Sequence, residues 1–225
     1  PLYSSAASDV YKRQIHTDFI HLPEGNSRIN VKVKHGDETE INGQGPVITE
    51  EAINELFAKL DTLTKEDILV LAGSIPNTLP EDIYEKILAR LESKGIRVVV
   101  DATKDLLLNV LKYHPFLIKP NNHELGEMFG TVCKTDEDIV HYAKKLQEKG
   151  AVNVLISMAG DGAILITEDG QNIKMGTPKG KVVNSVGAGD SMVAGFITGY
   201  IRGGNYEEAL KSGTCLLYTS DAADE

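Results

Sequence analysis

Short, unbroken apolar runs constrain this chain more than any other feature. They are DILVLAG (67–73), IRVVVDA (96–102) and VNVLISM (152–158). A strand with one face in water alternates apolar and polar side chains; a strand covered on both faces has no polar side to show. Between these runs the period changes. Ile53, Leu56, Phe57 and Leu60 recur at helical spacing. LPEDIYEKILARLESKG (79–95) reads as a helix, with Pro80 at its start and Gly95 past its end. A helical KDLLLNVLKY (104–113), a strand FLIKPN (116–121) and a helix from Thr135 to Lys149, closed by Gly150, follow. AILITEDGQNIKM (163–175) reads as a hairpin around Asp169-Gly170, and helices are expected at about 187–201 and 206–213. Strand and helix alternate at least three times. That pattern predicts an α/β fold: a doubly wound, mostly parallel sheet with helices on both faces.

One segment has a different texture. In SRINVKVKHGDETEINGQG (27–45), Ile29, Val31 and Val33 share one strand face, and Asn30, Lys32 and Lys34 the other. His35-Gly36-Asp37 is the expected turn of a small β-hairpin with one polar face.

Composition narrows the function classes. A chain of 225 residues, 41% hydrophobic, can bury a core. No apolar run is long enough to span a bilayer, and PLYSSAASDVYKRQ lacks the apolar centre of a secretory signal. The two cysteines, Cys133 and Cys215, have no metal or redox spacing, which suits a reducing cytosol. A net charge of −10 argues against nucleic acid or an anionic membrane as partner. It leaves open an anionic small substrate, held by a few local cations and backbone N–H groups.

In open parallel sheets, ligands bind beyond the carboxyl ends of the strands. The polar stretches there are GSIP (73–76), DATKD (101–105), KPNNHE (119–124) and SMAGDG (157–162). A further stretch, VGAGDS (186–191), opens a helix. The N–H groups of Gly187, Ala188 and Gly189 would face an anion there, aided by the helix dipole, and the small side chains would let a phosphate approach. Asp190 then stands in the first turn, either as an acid favourably placed against the dipole or as a reacting group. Asn121 and Glu124 are spaced to bind hydrated Mg²⁺ or to cap a helix as a reciprocal pair. No GxxxxGK[ST] and no GxGxxG after the first strand occurs, so neither a P-loop nor a dinucleotide fingerprint is present.

NSVGAGDSMVAGFI resembles, position by position, the C-terminal signature of the ribokinase-like (PfkB) family of carbohydrate kinases. RINVKVK, LAGSIP, DATKDLLLNVLKY, FLIKPNNHELGEMFG and NVLISMAGDGAILITEDG are similar to the branch that phosphorylates fructose 1-phosphate; tagatose-6-phosphate kinases are its neighbours. The resemblance runs from about Asp18 to about Thr214. It implies ATP-dependent transfer of a phosphoryl group to a sugar phosphate, with Mg²⁺, in the cytoplasm. By that resemblance Asp190 is the catalytic base, and Gly187, Ala188 and Gly189 are the anion hole. Ser157, Met158, Ala159, Gly160, Asp161 and Gly162 form the ATP loop, with Lys119, Gly189 and Asp190 also on the ATP side. Asn121 and Glu124 match the family's NxxE motif, associated with Mg²⁺. Arg28, Lys32 and Ser74 resemble sugar-phosphate contacts, and Asp101 lies near the phosphates. The hairpin resembles a lid through which family members form homodimers.

The family pattern begins with a strand bearing a sugar-binding aspartate and a GGKGxN-type segment, and neither is found here. SSAASDVYKRQ and LLYTSDAADE read as non-native ends. The expected layout is a tail over 1–14, the lid over 15–49, the α/β core over 50–214 and a second tail over 215–225. With the N-terminal strands missing, weak kinase activity or none is expected, and a non-catalytic nucleotide-binding fragment is the alternative.

Overall fold

The computed structural model describes residues 16–26, 29–35, 37–178 and 187–219. Tertiary contacts divide the chain into two compact units. The first comprises residues 1–62 and 76–79, the second residues 63–75 and 80–225.

The first unit contains the expected hairpin. Strands β1 (Asn30–His35) and β2 (Asp37–Asn42) pair antiparallel, with Val31 opposite Ile41 and Lys32 opposite Glu40. On its apolar face Ile29, Val31 and Ile41 are exposed. Helix α1 (Glu50–Asp61) follows, and the Thr49 side chain caps it by accepting the Ala52 N–H. An ion pair between Lys59 and Asp18 ties the early chain to this helix.

The second unit is built on a six-stranded sheet in the order β3 (Ile68–Ala72), β4 (Arg97–Asp101), β5 (Leu117–Ile118), β6 (Asn153–Ser157), β7 (Ala163–Ile166), β8 (Asn172–Met175). Strands β3 to β6 run parallel, and β7 and β8 fold back antiparallel. This is the mostly parallel α/β sheet expected from the apolar runs. Helices α2 (Ile83–Leu91), α3 (Lys104–Val110), α4 (Asn122–Met128) and α5 (Asp136–Glu148) connect the parallel strands. Helices α6 (Ala188–Gly203) and α7 (Tyr206–Thr219) end the unit.

The core lies where α6 and α7 cover the sheet. Val99, Leu117, Leu155, Ala163 and Leu165 pack with Met192, Val193, Phe196, Ala209 and Leu210. Two glycines bring these helices together. A Cβ on Gly199 would lie 2.8 Å from Ala209 Cα, and one on Gly213 2.9 Å from the Met192 carbonyl oxygen. Helix α5 packs against β6 and β7 and buries Ile139, Ala143 and Leu146.

Some boundaries differ from expectation. The strand expected over 116–121 shrinks to Leu117–Ile118, because the chain passes through Pro120 directly into α4. The helix expected from residue 79 begins at Ile83, since Pro80 sits in the preceding turn, where its carbonyl accepts the Ile83 N–H. Its last turn tightens to a 3₁₀ helix over Glu92–Lys94, ended by left-handed Gly95. The final helix runs to Thr219, past the expected end near Gly213.

Strand β3 stands at one edge of the sheet. Its five residues, ILVLA, are all apolar, as in a strand covered on both faces. Among the described residues its outer edge pairs with no other strand, and Val70 is 42% exposed.

Candidate active site

The carboxyl ends of β3 to β6 lie side by side, and the polar segments beyond them meet there. The Gly73 N–H donates to the Asp101 carbonyl, Lys119 N–H to the Val100 carbonyl, and Ser157 N–H to the Pro120 carbonyl, each at 3.2 Å. Asn121 also forms a parallel bridge with Ser157. These bonds carry the ladder past the strand ends, so residues 73–74, 101, 119–121 and 157 form one polar rim.

Lys119 is the buried cation of this rim. Its side chain is 8% exposed and its Nζ lies 3.2 Å from Asp101 Oδ2. An ammonium so buried needs a partner, and Asp101 is that partner. Burial pushes the Asp101 carboxyl above its ordinary pKa; Lys119 pulls it back, while the charges of Asp190 and Glu124 push it up further. Asp101 therefore feels one positive and two negative neighbours.

Helix α6 brings the glycine-rich stretch to this rim. Gly187 adopts a left-handed backbone (φ 79°) that suits glycine, and its carbonyl accepts the Ser191 N–H at 2.9 Å. Gly187, at the N-cap, has no side chain to cap the helix. The first N–H groups of a helix, here at Ala188, Gly189 and Asp190, have no acceptor within the helix itself. A Cβ on Gly189 would lie 3.2 Å from Lys119 Nζ. The ammonium therefore packs against the start of α6. Asp190 is exposed on the first turn. Together with Asp101, Val70, Ala72, Val193, Ala194 and Ile197 it lines a cleft of about 150 Å³.

Asn121 and Glu124 open α4 as a capping box. Asn121 Oδ1 accepts the N–H groups of His123 (2.9 Å) and Glu124 (2.8 Å), and Glu124 Oε2 accepts the Asn121 N–H (2.8 Å). The capping alternative raised by their spacing is therefore present. No group of three or more His, Cys, Asp or Glu side chains is placed to hold a metal by itself among the described residues.

Residues 157–162 make the turn between β6 and β7. A 3₁₀ turn spans Ala159–Asp161, and Ala159 sits at φ 47°, a region uncommon for a residue with a Cβ. Gly162 is required by packing: at φ 91° it has Met175 carbonyl oxygen 2.0 Å from where a Cβ would be. Gly160 faces open space, and its carbonyl accepts the Thr177 hydroxyl at 2.9 Å.

Ser74 is exposed after β3, on the same rim as Asp101. Lys32 stands on β1 of the first unit, and Arg28 lies outside the described residues, as do residues 1–14, the stretch 182–186 before α6, and 220–225. Sequence reasoning missed Tyr84. Its hydroxyl donates to the carbonyl of Ala72 (2.9 Å) and lies 3.3 Å from that of Gly73, fixing the turn that presents Ser74. A tyrosine in an amphipathic helix carries no signal of such a role.

Residues 4–216 match the family described as pfkB family carbohydrate kinase, and the chain belongs to that family. It is 52% identical over 190 residues to a 1-phosphofructokinase of Bacillus subtilis, covering 84% of this chain and 62% of that protein. It is 35% identical over 205 residues to a D-tagatose-1-phosphate kinase of Bacillus licheniformis, covering 91% and 67%. A Staphylococcus aureus structure solved as a candidate phosphofructokinase superposes with a TM-score of 0.85 at 41% identity, over 97% of this chain and 71% of that one. Arabidopsis thaliana ribokinase, solved with ribose and ATP, superposes with a TM-score of 0.71 at 20% identity, over 92% and 68%, and shows the shared fold. The chain thus spans less than two thirds of the length of its Bacillus subtilis relative.

Proposed function

We propose that this chain carries the phosphoryl-transfer part of a sugar-phosphate kinase that uses ATP to convert fructose 1-phosphate to fructose 1,6-bisphosphate. The observation that carries this reading is the meeting of three groups: exposed Asp190, the start of α6 at left-handed Gly187, and the Lys119 ammonium packed against Gly189. Asp190 takes the proton of the attacking sugar hydroxyl as its oxygen bonds to the γ-phosphorus and ADP departs. The N–H groups from Gly187 to Gly189 and the Lys119 ammonium stabilise charge on the transferred phosphoryl. Residues 157–162, beside Asn121, hold the nucleotide. Bound Mg²⁺ would neutralise phosphate charge, and Glu124, with Asn121 behind it, would hold it through water. Arg28, Lys32 and Ser74 contact the sugar phosphate.

The relative named for D-tagatose 1-phosphate favours a second reading, in which a tagatose phosphate is the acceptor. Pairing between copies through the hairpin is supported by the exposed Ile29, Val31 and Ile41. A cytoplasmic setting is supported by the two unbridged cysteines; among the described residues no helix is long and apolar enough to cross a membrane.

The test is ATP-dependent phosphorylation of fructose 1-phosphate, tagatose 1-phosphate and tagatose 6-phosphate by the purified chain. Highest kcat/KM with fructose 1-phosphate supports the first reading, and highest with a tagatose phosphate the second. Nucleotide binding without turnover of any sugar would leave a nucleotide-binding fragment.

A further inference from the structure

Gly189 is small for a reason that the phosphate alone does not explain. The space its side chain would fill is occupied from below by Lys119, whose Nζ would lie 3.2 Å from a Cβ there, with Cε at 3.6 Å. Lys119 reaches that point along a defined path. Its backbone is held in the ladder by the bond to the Val100 carbonyl, and its ammonium by Asp101 on the neighbouring strand. A lysine stem has many rotamers, and fixing one of them costs side-chain entropy. The burial of Lys119 and its ion pair remove that freedom before any ligand arrives.

We infer that Asp101 is a positioning residue: it holds the Lys119 ammonium against Gly189, so that an incoming phosphate meets the N–H groups of α6 and a preset cation together. This rests on the proposed nucleotide reading. Asp101 itself need not touch the ligand. Its charge opposes an incoming polyanion, and the site tolerates that because the lysine would otherwise swing away.

The two effects of Asp101 have opposite signs, which makes the inference testable. Charge alone predicts that Asp101→Asn tightens ADP binding. Positioning predicts that it loosens ADP binding, by about tenfold or more for a charge-assisted contact, while adenosine, which has no phosphate, binds as before. ADP and adenosine affinities are measured by calorimetry on the full 225-residue chain and on Asp101→Asn, Lys119→Met, the double variant and Gly189→Ala. In the Lys119→Met background Asp101→Asn is expected to cause no loss, because no cation remains to be held. Gly189→Ala keeps the ion pair but displaces the ammonium, and is expected to weaken ADP and spare adenosine, so the inference remains testable if Asp101→Asn fails to fold. Unchanged or tighter ADP binding in a folded Asp101→Asn overturns the inference alone. Equal loss for ADP and adenosine in the foldable variants also overturns it, as a merely structural effect. A wild-type chain that binds neither ligand overturns the nucleotide reading and the inference with it.

Discussion

Asn121 and Glu124 hold each other across one helical turn, each accepting the other's backbone N–H at 2.8 Å. The pair starts α4 at the residue that bridges to Ser157, so the cap also sets where the rim turns away from the sheet. Asn121→Ala is expected to cost about 1 kcal/mol, lowering Tm by about 2–4 °C for a chain of this size. Glu124→Gln keeps an acceptor for the Asn121 N–H and should melt near wild type. If Glu124 serves Mg²⁺, the same variant will need more Mg²⁺ for half-maximal turnover. Thermal melts and a Mg²⁺ titration of the rate separate the two roles.

Asp190 should matter to chemistry and not to folding. It is exposed, and its neighbours in the cleft are largely apolar. Asp190→Asn is expected to lower kcat by about 10²–10⁴-fold with Tm within a degree or two of wild type. A rate within a factor of two of wild type removes Asp190 as the base.

The two glycines of the β6–β7 turn should behave oppositely. Gly162→Ala places a Cβ 2.0 Å from the Met175 carbonyl oxygen at φ 91°, and should cost at least about 2 kcal/mol. Gly160→Ala meets nothing within 4 Å, so its melt should match wild type. If residues 157–162 hold the nucleotide, Gly160→Ala will raise KM for ATP alone. Paired melts and steady-state kinetics check both.

Asp138 predicts an acid-side dependence. The N–H groups of Lys134 and Thr135 hold its carboxyl below the usual range. A depressed folded-state pKa adds stability above the unfolded value, and that stability is lost as pH falls through the folded value. Wild type should therefore melt above Asp138→Asn at pH 7, and the gap should close below about pH 4. Melts across pH 3–7 measure it.

Much of the fold was legible because unbroken apolar runs leave a plain mark, although β3, at the edge, is less covered than its run promised. The runs at 67–73, 96–102 and 152–158 became β3, β4 and β6. The shortened β5 was not legible, since FLIK promised a longer strand and the capping box at Asn121 competed for the same residues. In the site, Asp190 and Gly187 to Gly189 could be found from their place at a helix start. The ion pair of Asp101 and Lys119 joins two strands and needs the register of β4 on β5 to be seen. Tyr84 acts through its hydroxyl on a distant turn, which no local spacing encodes.

The outer edge of β3, which among the described residues pairs with no other strand, has a consequence for handling the protein. Residues 68–72 combine an extended backbone with five apolar side chains and neither proline nor charge, the makeup of segments that stack into cross-β fibrils. Natural edges are usually blunted by lysine, proline or a bulge. The chain should accordingly cloud with rising concentration, and one lysine at Leu69, which is outside the Asp190 cleft lining and only half-buried, should act as a gatekeeper that keeps it clear.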